Sequence, residues 1–322
     1  MKREQRPVTG VLLLDKPHGL SSNAALTRAK ILYRAGKAGH TGTLDPFATG
    51  LLPVCFGEAT KFAGYCLEAD KAYEALVRLG VTTSTGDPEG ERLSEMPVTV
   101  ARAEVSAVLK SFTGRLHQVP PMHSALKYRG QPLYALARRG IEVERAAREV
   151  TIRGLELLEC SLPLLRLRVD CSKGTYVRVL AQDIGRALGC GAMLEELRRT
   201  RCGGFAISHA HTLEHLGELS EERRDACLLA PDCLVQHLPG LSVEGQTGRH
   251  LLEGRTDLRA LETIPGCYRA YGPEGEFYGL VEVAEDRGLR PLRMMSAPVA
   301  GHPKEFPDFP LIFLEKLQNP SL

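Results

Sequence analysis

One carboxylate stands out for its setting. Asp45 lies within Gly39-His-Thr-Gly-Thr-Leu-Asp-Pro-Phe-Ala-Thr-Gly50, a glycine-punctuated stretch between a basic helical segment and an apolar strand. Gly39, Gly42 and Gly50 allow the backbone to turn sharply and to approach a ligand closely. Pro46 disfavours the helical region for the residue before it, so Asp45 is expected to project from an extended loop. A lone acid in that position could serve as nucleophile, base or cation ligand. Asp-Pro is equally an ordinary turn, and spacing alone does not separate these readings. A second candidate is His211-Thr-Leu-Glu-His215, which spells H-x-x-E-H and on a helix would turn two histidines to one face, as zinc binding needs. No third ligand stands at a helpful spacing, so a solvated helix is expected there. Phosphate-loop and dinucleotide chemistry have no anchor: Gly57-Glu-Ala-Thr-Lys61 lacks the Gly-Lys-Ser/Thr ending, and no G-x-G-x-x-G follows a strand.

The elements around Asp45 read as a mixture of strands and helices. Val11 to Asp15 is a short buried strand, and Ser21 or Ser22 can cap a helix with apolar positions at Leu26, Ile31 and Leu32. Leu51 to Phe56 and Tyr73 to Val81 read as further strands, with a loop by composition from Thr82 to Gly90. Val105, Val108, Leu109 and Phe112 recur at helical spacing. Strand-like runs return at Val150 to Leu158 and Leu164 to Val169, followed by a helix with Val177, Leu180, Ile184 and Leu188 on one face and Tyr176 and Arg178 at its start. This predicts an α+β domain on a mainly antiparallel sheet over residues 1–238. Past it, seven glycines between Gly245 and Gly279 separate short apolar pieces, which read as a small β-rich domain over residues 239–300, with a proline-bearing tail over 301–322.

A chain of 322 residues, 43% hydrophobic, can bury a substantial core. No run has the length of a membrane span, and Val11 to Leu14 is too short for a signal sequence. Nine cysteines without a C-x-x-C pair argue for reduced thiols in a cytoplasmic protein, with Cys55 and Cys171 as small core residues. Net charge is only +2, but it is unevenly spread. Residues 1–40 carry eight Lys or Arg against two acids, residues 127–153 carry seven against three, and Arg198, Arg199 and Arg201 form a third cluster. Such concentrations suit a phosphate backbone, though a solvated basic surface would look the same.

Beyond the Asp45 loop, Val11-Leu-Leu-Leu-Asp-Lys-Pro-His-Gly-Leu-Ser-Ser-Asn23, Leu51-Leu-Pro-Val-Cys-Phe-Gly-Glu-Ala-Thr-Lys-Phe62, Gln118 to Tyr134, Cys171-Ser-Lys-Gly-Thr-Tyr-Val-Arg178 and Leu197-Arg-Arg-Thr-Arg201 follow in order across about the first 200 residues. Together they resemble the tRNA pseudouridine-55 synthases, which isomerise one uridine in the T-loop of tRNA. The resemblance implies a cleft crossing the sheet and a terminal domain of the PUA (pseudouridine synthase and archaeosine transglycosylase) type, although the match past residue 200 is much weaker. It makes Asp45 the nucleophile or essential anion, Arg178 its ion-pair partner, and Tyr73 the residue that stacks on uracil and helps remove the C5 proton. Tyr176 and Leu197 would line the apolar walls around the base, and His40 would hold the space left by the extruded nucleotide. Lys16, with Pro17, would support the loop or contact phosphate. One departure is His123, where many relatives carry an aromatic such as tyrosine, which puts a stacking role there in doubt.

The implied reaction breaks the N1–C1′ bond and rejoins C1′ to C5 of the same base. No redox change, water or group donor enters, so no cofactor or metal is expected, and water must be kept out. The expected partner is the T-arm stem-loop of tRNA, met by a monomer, with no membrane involved. A different class, a tRNA-binding or tRNA-folding protein whose catalysis is secondary, would share the basic patches and the terminal domain. Asp45 with Arg178 and Tyr73 separates the two, since a pure binder has no need of a buried acid.

Overall fold

The computed structural model describes residues 5–260 and 263–301; the expected tail therefore lies outside the described residues apart from its first position. Eight strands form the path of the main sheet: β1 (Gly10–Lys16), β2 (Thr49–Phe56), β3 (Lys71–Leu79), β4 (Gly114–Gln118), β5 (Arg148–Ser161), β6 (Leu164–Cys171), β7 (Ala192–Cys202) and β8 (Leu228–Leu229). Their order across the sheet is β8-β1-β2-β7-β3-β6-β5-β4, with short strands Ala38–His40 beside β2 and Phe205–Ala206 beside β7. Every pairing is antiparallel except β2 with β7, where Thr49 and Gly50 run parallel to Arg198 and Arg199. β3 shows why this works: alternate residues Tyr73, Ala75, Val77 and Leu79 are buried while Glu74, Leu76 and Arg78 are less so, the period-two signature of a sheet with one covered face.

Helices cover the faces and set the site. α1 (Ser22–Leu32) begins at Ser21, whose hydroxyl accepts from the Ala24 N–H at 3.1 Å, so the first of the two expected caps is used. Its buried residues are Ser22, Ala25 and Ala29; Ile31, one of the expected apolar positions, is 58% exposed. Small residues at the contact let the helix lie close to Leu12, Leu14, Val54 and Phe56. α2 (Arg102–Ser111) and α3 (Val177–Ala187) pack Val105, Leu109, Leu180 and Ile184 onto the strands carrying Tyr73, Val169 and Leu197 in one core.

β9 (Gly240–Ser242), β10 (Leu258–Arg259), β11 (Gly266–Tyr271), β12 (Glu276–Val283) and β13 (Gly288–Ala300) make a second sheet in the order β9-β11-β12-β13-β10. It is not a loosely hung module. Phe277, Leu280 and Met295 share a core with Val11, Leu51 and Phe62, and the Phe62 and Phe277 rings lie 5.4 Å apart. Lys61 donates to the Met294 carbonyl at 2.9 Å, and the Ser296 N–H donates to the Glu58 carboxylate at 2.6 Å.

Candidate active site

Gly42 and Gly50 bracket Asp45 with left-handed φ values of +108° and +101°, which side chains resist. At Gly50 the need is steric as well: a Cβ would stand 2.4 Å from the Arg199 carbonyl oxygen and 2.7 Å from its nitrogen. The close approach is thus to the neighbouring strand β7, not to a ligand, and it is what permits the one parallel pairing of the sheet. Gly39 lies in a short strand without a left-handed φ and has room for a Cβ, so its expected turning role is not used. Gly50→Ala should lower unfolding free energy by about 1–3 kcal/mol in denaturant titrations; an unchanged midpoint would show that β7 can yield.

Arg178, on the first turn of α3, meets Asp45 through Nε to Oδ2 at 3.0 Å. The rest of its guanidinium makes three further contacts. Nη1 donates to Asp87 Oδ2 at 2.9 Å and to the Thr85 carbonyl at 3.3 Å, and Nη2 to the His123 carbonyl at 2.7 Å. Asp87 was not singled out from the sequence; it hid in the polar loop Thr82–Gly90. It is buried, accepts from the Glu89 N–H at 3.0 Å and from the Thr85 hydroxyl, and fixes the far side of the arginine fork. Tyr176, two residues before Arg178, is held by Gln118, whose amide accepts from the Tyr176 N–H at 3.0 Å and donates to its carbonyl at 3.3 Å.

The Arg178 side chain is 5% exposed and that of Asp45 32%, so the arginine is locked while the acid keeps one side open to solvent. Burial pushes the Asp45 carboxyl above its ordinary value; Arg178 pulls it back, Asp87 adds to the rise, and Lys16 opposes it. The guanidinium therefore offsets desolvation only in part, because it serves two carboxylates. Tyr73, 8% exposed, packs in one cluster with Leu44, Phe47 and Leu197, the residues flanking the acid and the expected apolar wall. Burial pushes its hydroxyl up to about 12, with the Arg199 guanidinium pulling the other way. Tyr176 is half-buried, and burial raises its hydroxyl as well. His40 stands on the strand before the loop, its Nδ1 buried and without a hydrogen-bond partner and its imidazole pushed down by burial.

Three expectations about charge need correction. Lys16 is fully buried, and its ammonium donates to the carbonyls of Pro17, Leu20 and Pro46 at 2.9, 2.5 and 3.3 Å. All three protons are used, two on the turn after β1 and one on the Asp45 loop, so Lys16 ties these together and does not reach phosphate; burial accordingly pushes it down to about 8. The cluster at 198–201 is no phosphate patch. Arg198 pairs with Asp15 at 2.6 Å, Arg201 with Asp170 at 2.7 Å, and Arg199 is buried. In the first forty residues, Arg6 and Arg34 are spent on Glu221 and Asp225. Exposed and without an ion pair among the described residues are Arg28 and Lys37 in the first forty residues and, over residues 127–139, Lys127, Arg129, Arg138 and Arg139. Arg129 and Arg138 lie over the rings of exposed Tyr128 and Tyr134, 5.3 and 5.7 Å from their centroids. This stretch is tied to the site, since the Tyr134 N–H donates to the Ser124 carbonyl at 3.1 Å, next to the His123 carbonyl that Arg178 holds.

The H-x-x-E-H pattern is split. His211 stands in extended backbone, its N–H donating to Leu13, and only His215 is on the helix Leu213–Glu218; the rings stack 5.7 Å apart. Among the described residues no helix is long and apolar enough to cross a membrane.

Residues 30–177 match the family described as TruB family pseudouridylate synthase (N terminal domain), and residues 178–236 match the tRNA pseudouridylate synthase B C-terminal domain. A tRNA pseudouridine synthase B from Thiobacillus denitrificans is 52% identical over 296 residues, covering 92% of this chain and 99% of the relative. One from Aromatoleum aromaticum is 55% identical, covering 92% and 95%. Among solved structures, a chain of a Cbf5-Nop10-Gar1 complex superposes with a TM-score of 0.66 at 29% identity, over 86% of this chain and 78% of that one.

Proposed function

Because this chain belongs to the TruB family of pseudouridylate synthases, we propose that it converts the uridine at position 55, in the T-loop of tRNA, to pseudouridine. The observation that carries the reading is the Asp45–Arg178–Asp87 array, joined through His123 and Ser124 to an exposed basic and aromatic stretch. The target uridine leaves its stack at a cost on the order of a few kcal/mol and enters between Tyr73 and the apolar walls of Leu197 and Tyr176. Asp45 acts as the nucleophile or essential anion, Arg178 keeps it ionised and aimed, and Tyr73 stacks on the base. His40 fills the space the nucleotide leaves. Rotation of the detached uracil needs a dry pocket, which Leu44, Phe47 and Leu197 supply.

Residues 1–238 act as the catalytic domain and 239–300 as a PUA-like RNA-binding domain. The enzyme works in the cytoplasm as a monomer, without cofactor. A tRNA-folding protein with incidental catalysis is not favoured, because a binder gains nothing from a doubly paired, buried guanidinium next to an acid. The direct test incubates the protein with an unmodified T-arm stem-loop in the absence of metal and nucleotide. Pseudouridine at the single T-loop position supports the reading, and an unmodified product refutes it.

Four unpaired cations at 127–139 make a second prediction. The logarithm of tRNA affinity should fall with the logarithm of salt with a slope of about −3, at roughly 0.7–0.9 per phosphate neutralised. Replacing Lys127 and Arg129 with alanine should flatten that slope by about 1.5 in filter-binding titrations. An unaltered slope would move the RNA surface elsewhere.

A further inference from the structure

Of the two serines able to cap α1, Ser21 takes the cap, and Ser22 is left for another task. Ser22 is 1% exposed, and its hydroxyl meets Leu44, the residue before Asp45. Oγ donates to the Leu44 carbonyl at 2.9 Å and accepts from the Leu44 N–H at 2.7 Å. One hydroxyl thus serves both main-chain groups of one residue, as donor and acceptor at once. Leu44 is buried in a stretch that is neither helix nor strand, so no ladder supplies those partners. Past Asp45, the Gly19 N–H and the Lys16 ammonium hold the Pro46 carbonyl at 2.8 and 3.3 Å. The main chain is fastened on both sides of an acid that has Arg178 as its one ion-pair partner among the described residues.

We infer that Ser22 is a positioning residue for the isomerisation: by holding both main-chain groups of Leu44, it keeps the Asp45 carboxylate aligned on Arg178. The Leu44 carbonyl shares a rigid peptide plane with the Asp45 nitrogen, so a hydrogen bond there fixes the plane from which the Asp45 side chain springs. The same hold seats the Leu44 side chain in its cluster with Phe47, Tyr73 and Leu197. A reacting group displaced by about 1 Å can lose on the order of 10²-fold in rate, so small slack in this anchor matters. The inference rests on the reading of Asp45 as nucleophile or essential anion.

A double-mutant cycle separates alignment from packing. Single-turnover rates and stem-loop affinity are measured for the wild type, Ser22→Ala, Arg178→Lys and the double variant, each well below its melting temperature. Ser22→Ala should slow conversion by about 10–100-fold with affinity kept within about threefold. In the Arg178→Lys background, where the alignment is already lost, the same change should cost less than about threefold. Ser22→Cys, which fills the space with a weaker donor and acceptor, should show a smaller loss in the same direction. It replaces Ser22→Ala in the cycle if that variant does not fold. An unchanged rate, an equal loss in both backgrounds, or a loss confined to affinity overturns the inference while leaving the aspartate reading intact. Substantial conversion by Asp45→Asn refutes the aspartate reading and the inference with it.

Discussion

Asp45→Asn should reduce single-turnover pseudouridine formation by roughly 10⁴-fold or more, the scale seen when an essential nucleophile is removed. Affinity for the stem-loop should stay within about threefold, because the side chain is small and the proposed phosphate contacts lie on the 127–139 stretch. The amide keeps the shape and loses the charge, so the comparison isolates the anion. In the wild type the rate should fall on acidification as the carboxylate takes up a proton. Since burial raises the Asp45 carboxyl, that fall should be centred above the ordinary value of 3.8. Substantial conversion by the variant, or a rate that holds constant down through that value, would remove Asp45 from the chemistry.

Arg178→Lys is expected to cost about 10²–10³-fold in rate, again with binding retained. The charge survives, but a single ammonium cannot reach Asp45, Asp87 and the carbonyls of Thr85 and His123 together, as the planar fork does. Two consequences distinguish this from simple loss of a contact. Asp87, with a side chain 2% exposed, loses its ion-pair geometry, so the melting temperature should drop. The cation no longer sits in the Nε–Oδ2 contact, so the influence holding the Asp45 carboxyl down weakens and the acid limb of the rate should move to higher pH. An acid limb at the wild-type position, with the rate reduced, would mean that Arg178 acts on the substrate and not through the acid.

The parts of this site that could be read from sequence are those encoded locally. The loop of Asp45 carries its own glycines and proline, the strand of Tyr73 its alternation, and the helix of Arg178 its 3.6-residue stripe of Val177, Leu180 and Ile184. What escaped depends on partners far apart in the chain. Asp87 lies 91 residues from Arg178, and nothing in a Thr/Ser/Gly/Pro loop marks which acid will turn inward. Strand β7 mixes Glu195, Glu196 and three arginines into its run, so its place at the centre of the sheet had no clean period; two register shifts interrupt even its pairing with β3. The same residues misled the charge reading. Arg198 and Arg201 find Asp15 and Asp170 only once the sheet has formed, and Arg199 and Lys16 are drawn inward by carbonyls that composition does not reveal.

The account stands on a uridine reaching Asp45, and a crystal structure of Asp45→Asn with an unmodified T-arm stem-loop tests that without intermediate steps. The target uracil should be out of the RNA stack, lying on the Tyr73 ring, with C6 or C1′ roughly 3–3.5 Å from the side chain at position 45. A stem-loop bound with that base still stacked in its loop, or lodged away from both residues, would contradict it.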